Sequence, residues 1–139
     1  MTDFQSCLGL SQLQSYKKSL LRRQEIAKRY CKNFHKNKNI KQLNFSNENS
    51  YFIYPILIKK RDKLVKFLNK INIGFSIHYP KIIPLMSYYK KKYKNKKNDY
   101  LNAINYANSN ISLPIYPNLR DKEVDYISKK ISKFVNNEK

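Results

Sequence analysis

The chain has 139 residues, room for one modest core and a single domain. Its 29 Lys+Arg against 9 Asp+Glu leave a net charge of +20, while 2 Cys and 2 Gly exclude a disulfide framework and a glycine-rich phosphate loop. Lys far outnumbers Arg and residues with A/T-rich codons prevail, so the charge is read chiefly as solvated lysine from base-composition bias, with only non-specific nucleic-acid binding expected.

Residues 2–34 read as one long helix on which the rest of the chain packs. Thr2 and Gln5 form a capping box, and Asp3 places a negative charge in the first turn. Leu13, Tyr16, Leu20, Ala27, Cys31 and Phe34 follow at helical spacing as one apolar stripe. At ~1.5 Å per residue such a helix runs on the order of 50 Å, more than a small core needs, so it is expected to connect two bodies. Its first turns mix Phe4, Leu8 and Leu10 with the small residues Ser6, Cys7, Gly9 and Ser11. A helical glycine costs about 0.5–1 kcal/mol against alanine, which suits a close approach by another backbone. That approach fits tight packing within the chain or a seam against another domain or subunit. Domain organisation is accordingly residues 1–36 as a connecting helix and residues 37–139 as a small αβ domain.

Residues 33–49 are polar, with one short strand expected near residues 40–45. Residues 51–58 (YFIYPILI) read as a buried strand, and Pro55, which has no N–H for a ladder, puts it at an edge or a bulge. Arg61 and Asp62 open a helix with Leu64, Phe67, Leu68 and Ile71 on its inner face, and Gly74 suits its exit. Residues 75–79 alternate: Phe75, Ile77 and Tyr79 point to the core and Ser76 and His78 to the opposite face, until Pro80 ends the strand. His78 fits a loosely bonded surface histidine or a polar group lining a cleft at a domain edge.

Residues 90–97 carry the densest charge run and read as a mobile loop. Asp99 opens a helix with Leu101, Ile104 and Ala107 inward. Residues 112–117 (SLPIYP) form an edge or covering strand, and Asp121 caps a last helix with Val124, Ile127, Ile131 and Phe134 inward. The order is αβαβαβα, an α/β (α+β) fold with no internal repeat.

Cys7 and Cys31 lie about 36 Å apart along one helix, whereas a disulfide needs Cα atoms within about 7 Å. His35 and His78 lack ligand spacing, so no metal is expected. No serine sits on a strand-to-helix elbow. Neither a signal-peptide pattern nor a long apolar run is present, and a cytoplasmic protein without membrane partners is expected.

Several strings, in order, carry a resemblance. Residues 1–13 (MTDFQSCLGLSQL) and 22–30 (RRQEIAKRY) resemble the start of the C-terminal domain in the DegT family of pyridoxal-phosphate-dependent aminotransferases, which act on nucleotide-linked keto sugars. YFIYPI at 51–56, Arg61-Asp62 with residues 68–74, IHYP at 77–80, ISLPIYP at 111–117 and residues 121–131 are similar to that family's later motifs. The chain departs from the family after Pro80, where it reads KIIPLMSYY.

The resemblance implies the C-terminal small domain of a fold-type-I aminotransferase: a long N-terminal helix plus a small antiparallel or mixed sheet covered by helices. It implies a missing N-terminal large domain that holds pyridoxal phosphate and the Schiff-base lysine, with an Asn-Tyr-Arg segment just before Met1. It further implies a homodimer, a nucleotide-sugar substrate, an amino-acid donor and a place in polysaccharide or cell-surface sugar biosynthesis. No catalytic residue is carried over. His78 and Tyr79 are pocket-edge candidates, and Phe4, Leu8 and Leu10 face the domain or dimer seam. These residues alone are expected neither to bind the cofactor nor to transaminate. The alternative from the charge is a basic, non-catalytic nucleic-acid-binding module.

Overall fold

A computed structural model describes residues 1–137. The capping box forms as the sequence predicts: Thr2 Oγ1 accepts from the Gln5 N–H at 3.3 Å and Gln5 Oε1 accepts from the Thr2 N–H at 3.0 Å. It opens α1 (Asp3–Phe34), 32 unbroken residues. Then come β1 (Lys41–Gln42), β2 (Tyr54–Leu57), α2 (Arg61–Lys70), a 3₁₀ turn at Ile83–Leu85, α3 (Ser87–Tyr93), a second 3₁₀ turn at Lys97–Tyr100, α4 (Leu101–Ser109), β3 (Asn110–Leu113) and α5 (Asp121–Asn137).

The sheet is antiparallel in the order β1-β2-β3. Tyr54, Ile56, Ile111 and Leu113 project from it into a core closed by Leu64 and Leu68 of α2 and by Val124, Ile127 and Ile131 of α5. From α1, Ile26, Ala27, Tyr30 and Phe34 complete that core. Tyr30 stacks on Tyr54 at 4.9 Å between ring centroids and donates its hydroxyl to the Pro114 carbonyl at 3.1 Å. Burial pushes both phenols well above their ordinary pKa, so they stay neutral donors.

Charge then fixes α1 to α5. Arg22 and Arg29 both reach Asp121, at 2.7 and 2.8 Å, and Arg29 also pairs with Asp125. Asn33 donates to Asp125 at 2.9 Å. The Arg29 guanidinium, with Asn33 beside it, holds the Asp125 carboxyl down at about 2. All five arginines are used inside the fold: Arg23 donates to the Ser50 carbonyl, Arg61 pairs with Asp62 and Arg120 with Glu123.

The structure corrects several expectations. Strand β2 is central, yet Pro55 costs no ladder bond. Ser112, its partner in β3, turns both its N–H and C=O to Ser76, and β1 reaches only Leu57 and Ile56. Residues 75–79 are not a strand: Ser76 alone bridges to Ser112, and Tyr79 is 71% exposed instead of facing the core. Asn72, not Gly74, takes the left-handed conformation after α2, with φ 54°. Asparagine tolerates that region because its short side chain bonds locally.

Of the charge run at residues 90–97, expected as a loop, residues 90–93 belong to α3 and Lys97 opens the second 3₁₀ turn. Lysine is a good helix former, and Tyr89 stacks on Tyr93 one turn on. Helix α4 starts at Leu101, after the turn that carries Asp99, and Leu101 itself is exposed. The third strand runs from Asn110 to Leu113 rather than over 112–117 and is buried along its whole length; it is the edge strand expected, beside β2 in the order β1-β2-β3. In α1 the predicted stripe is buried only in its second half; Leu13 and Tyr16 are exposed.

Candidate functional site

The side chains of β3 alternate: Ile111 and Leu113 enter the core, while Asn110 and Ser112 lie on the other face, beneath the loop that carries His78 and Tyr79. Asn110 is fully buried. Its Oδ1 accepts from the His78 backbone N–H at 3.2 Å, and its Nδ2 donates to the carbonyls of Tyr106 at 3.0 Å and Ala107 at 3.3 Å, with that of Tyr79 at 3.5 Å. Arg61, itself buried, donates to the Asn110 carbonyl at 3.2 Å. One asparagine thus joins the last turn of α4, the start of β3 and the His78–Tyr79 peptide, which is cis.

The His78 ring is fixed by hydroxyls. Nδ1 lies 3.0 Å from Ser112 Oγ and 3.4 Å from Ser76 Oγ, and Tyr79 meets the ring edge-on at 5.5 Å. Among the described residues no carboxylate is bonded to the ring, and its Nε2 has no protein partner. Beside it runs an open groove of about 340 Å³ that shares Ser76 and Ser112 and is floored by Phe75, Ile53 and Ile115. The histidine is therefore a half-buried ring oriented by two serines that line the groove, which its own side chain does not line, and Tyr79 is an exposed ring next to it. The sequence singles out both; it does not reveal Asn110 and Ser112. Their signal is weak, two polar residues in a short run that reads as a strand (NISL) before a proline.

The second candidate surface is the start of α1. Phe4, Leu8 and Leu10 are 74%, 51% and 64% exposed among the described residues. A Cβ added at Gly9 would meet nothing within 4 Å. Tight packing within the chain therefore does not account for the small residues here. Phe4 and Leu8 lie a turn apart, while Leu10 and Leu13 lie on the other side of the helix. A helix end apolar on two sides suits enclosure rather than a place on a surface.

No lysine among the described residues is buried. Imine chemistry on pyridoxal phosphate needs a lysine held in a desolvated pocket beside the cofactor, so the residues present do not fit that group. Nor does any cluster of His, Cys, Asp or Glu among them fit a metal, and no helix is long and apolar enough to cross a membrane.

The family model for DegT/DnrJ/EryC1/StrS aminotransferases matches residues 1–132. The chain belongs to this family. Spr1654 of Streptococcus pneumoniae, described as a sugar aminotransferase and solved in its PMP form, superposes with a TM-score of 0.87 at 30% identity, over 99% of this chain and 36% of that one. The spore coat polysaccharide biosynthesis protein SpsC of Bacillus subtilis is 30% identical over 90% of this chain and 34% of its own length. A Campylobacter jejuni UDP-4-amino-4,6-dideoxy-N-acetyl-beta-L-altrosamine transaminase is 28% identical over 91% of this chain and 35% of its own. The chain spans about a third of the length of these DegT relatives. Its helices and three-stranded antiparallel sheet are the fold of the matching third of such enzymes.

Proposed function

We propose that residues 1–139 are the C-terminal small domain of a pyridoxal-phosphate-dependent sugar aminotransferase, and that a large domain completes the active site. One observation carries this reading: the start of α1 presents Phe4, Leu8, Leu10 and Leu13 on two sides, each half or more exposed among the described residues. A large domain, or a second subunit in a homodimer, supplies the missing cover. On this reading the small domain brings His78 and Tyr79 to the mouth of the pocket, where they meet a nucleotide-linked keto sugar. The amino group comes from an amino-acid donor, and the product enters polysaccharide or cell-surface sugar biosynthesis in the cytoplasm.

The purified chain, incubated with pyridoxal phosphate and an amino donor, is expected to show no transamination; turnover would refute the reading. The site is tested in a chimera that joins these residues to the large domain of the Campylobacter jejuni transaminase. Loss of one substrate hydrogen bond costs about 1.5–3 kcal/mol when a charged group is involved. His78→Ala in the chimera should therefore lower kcat/KM roughly 10- to 100-fold. Full activity of that variant would remove His78 from the pocket.

The net charge of +20 gives weak attraction to any polyanion. It does not make a nucleic-acid reader on this reading, because every arginine, the residue suited to bidentate base contacts, already has a partner within the chain.

A further inference from the structure

Ser112 is 2% exposed, and its hydroxyl has a single partner among the described residues, His78 Nδ1 at 3.0 Å. A hydroxyl carries one proton to donate, and a neutral imidazole has one nitrogen that donates and one that accepts. Two arrangements follow. If Nδ1 held the proton, Ser112 would accept it, and the serine's own buried O–H would have nowhere to go. An unsatisfied buried donor costs about 1–3 kcal/mol. If Nδ1 is bare, the Ser112 O–H donates into it and both groups are satisfied. Ser76 does not alter the choice. It is exposed, sits farther away at 3.4 Å, and can turn its hydroxyl to water.

We propose that Ser112 is a positioning residue that locks His78 in the tautomer with its proton on Nε2. Asn110 supports this from the backbone side by holding the His78 N–H, so the ring is fixed at both ends. Nε2 makes no hydrogen bond to the described residues. Its N–H is then a fixed neutral donor, suited to an oxygen acceptor such as a sugar hydroxyl or a phosphate oxygen. That last step rests on the proposed function; the tautomer does not.

The chain has only two histidines, and His35 is exposed, so it serves as an internal reference. The test is a two-bond ¹H–¹⁵N correlation of the imidazoles in the ¹⁵N-labelled chain near pH 8, above the ordinary histidine pKa of about 6.5. His78 should show a bare Nδ1 and a protonated Nε2 as one tautomer, while His35 shows the averaged pattern of a free ring. Ser112→Ala should move His78 to the His35 pattern, and Ser112→Thr, which keeps the hydroxyl, should restore the single tautomer. A protonated Nδ1 in the natural chain overturns the proposal. So does an unchanged His78 spectrum in a Ser112→Ala protein that melts cooperatively by circular dichroism. Should Ser112→Ala not fold, the natural chain and Ser112→Thr decide. Failure here leaves His78 free to line the pocket, whereas an inert His78→Ala in the chimera removes it from the pocket whatever its tautomer.

Discussion

Tyr30 is where α1, the sheet and the exit of β3 meet, and Tyr30→Phe probes that junction with the least disturbance. The ring stays, so its stacking on Tyr54 and its place 6.0 Å from Phe34 are kept. What is lost is one hydrogen bond, from the hydroxyl to the Pro114 carbonyl at 3.1 Å. A net hydrogen bond contributes about 0.5–1.5 kcal/mol, and a carbonyl left dry raises the cost. Pro114 is half-buried and water can reach it in part, so the expected loss is about 1 kcal/mol. For a chain of this size that lowers Tm by about 3–5 °C. Tyr30→Leu removes the stacking as well and leaves a cavity, for about 3–4 kcal/mol in all. Urea unfolding of the three proteins, fitted with a common m-value, measures both steps. If Tyr30→Phe matches the natural chain within about 0.3 kcal/mol while Tyr30→Leu is strongly destabilised, the hydroxyl does not tie α1 to β3 and this account of the junction is wrong.

Other outcomes separate buried from exposed positions. Leu68→Ala, fully buried on α2, should cost about 2–5 kcal/mol, whereas Leu10→Ala should stay within about 0.5 kcal/mol; equal losses in thermal melts would place the start of α1 inside a core. Asp125 has a folded pKa of about 2 against an ordinary 3.8, so its pairing stabilises the fold above pH 3.8 and that contribution fades as pH falls towards 2. The carboxylate is 45% exposed, so screening holds the effect to about 1 kcal/mol or less, and Asp125→Asn should flatten this part of the acid limb of a stability–pH curve. Binding to mixed-sequence DNA should collapse between about 50 and 200 mM salt with no preference among sequences; a preferred sequence at the higher salt would bring back the nucleic-acid reading.

The parts of the fold written in local chemistry were legible in the chain. The cap of α1 needs only Thr2 and Gln5, and the inner faces of α2 and α5 need only apolar residues at i, i+3 and i+4. Where partners are distant, local patterns misled. Alternation in residues 75–79 imitates a strand, yet the segment is held by Asn110 and Ser112, more than thirty residues away, as a bridge and a loop. Pro55 marked a real gap in the ladder, but the gap lies on the side that the two-residue β1 does not reach, not at a sheet edge. The charge run hid α3, because the tyrosines that help to hold it are legible only once a helix is assumed. His78 was visible because histidine is rare here and follows an apolar segment. The buried asparagine and serine that orient it had no comparable mark, since Asn and Ser are common throughout the chain.

The unbroken course of α1 has a mechanical consequence. Its last turns are clamped by Tyr30, Phe34 and the Arg29–Asp125 pair, so the helix cannot swing without the body it belongs to. From Ile26 to Phe4 is 22 residues, or about 33 Å of rigid rod. A rotation of the body by only about 5° therefore sweeps the Phe4 ring through about 3 Å, half the width of a phenyl group. The same lever works in reverse. On the proposed function, a large domain that gripped Phe4 would set the angle of the His78 loop, since α1 is unbroken between its first turn and the core.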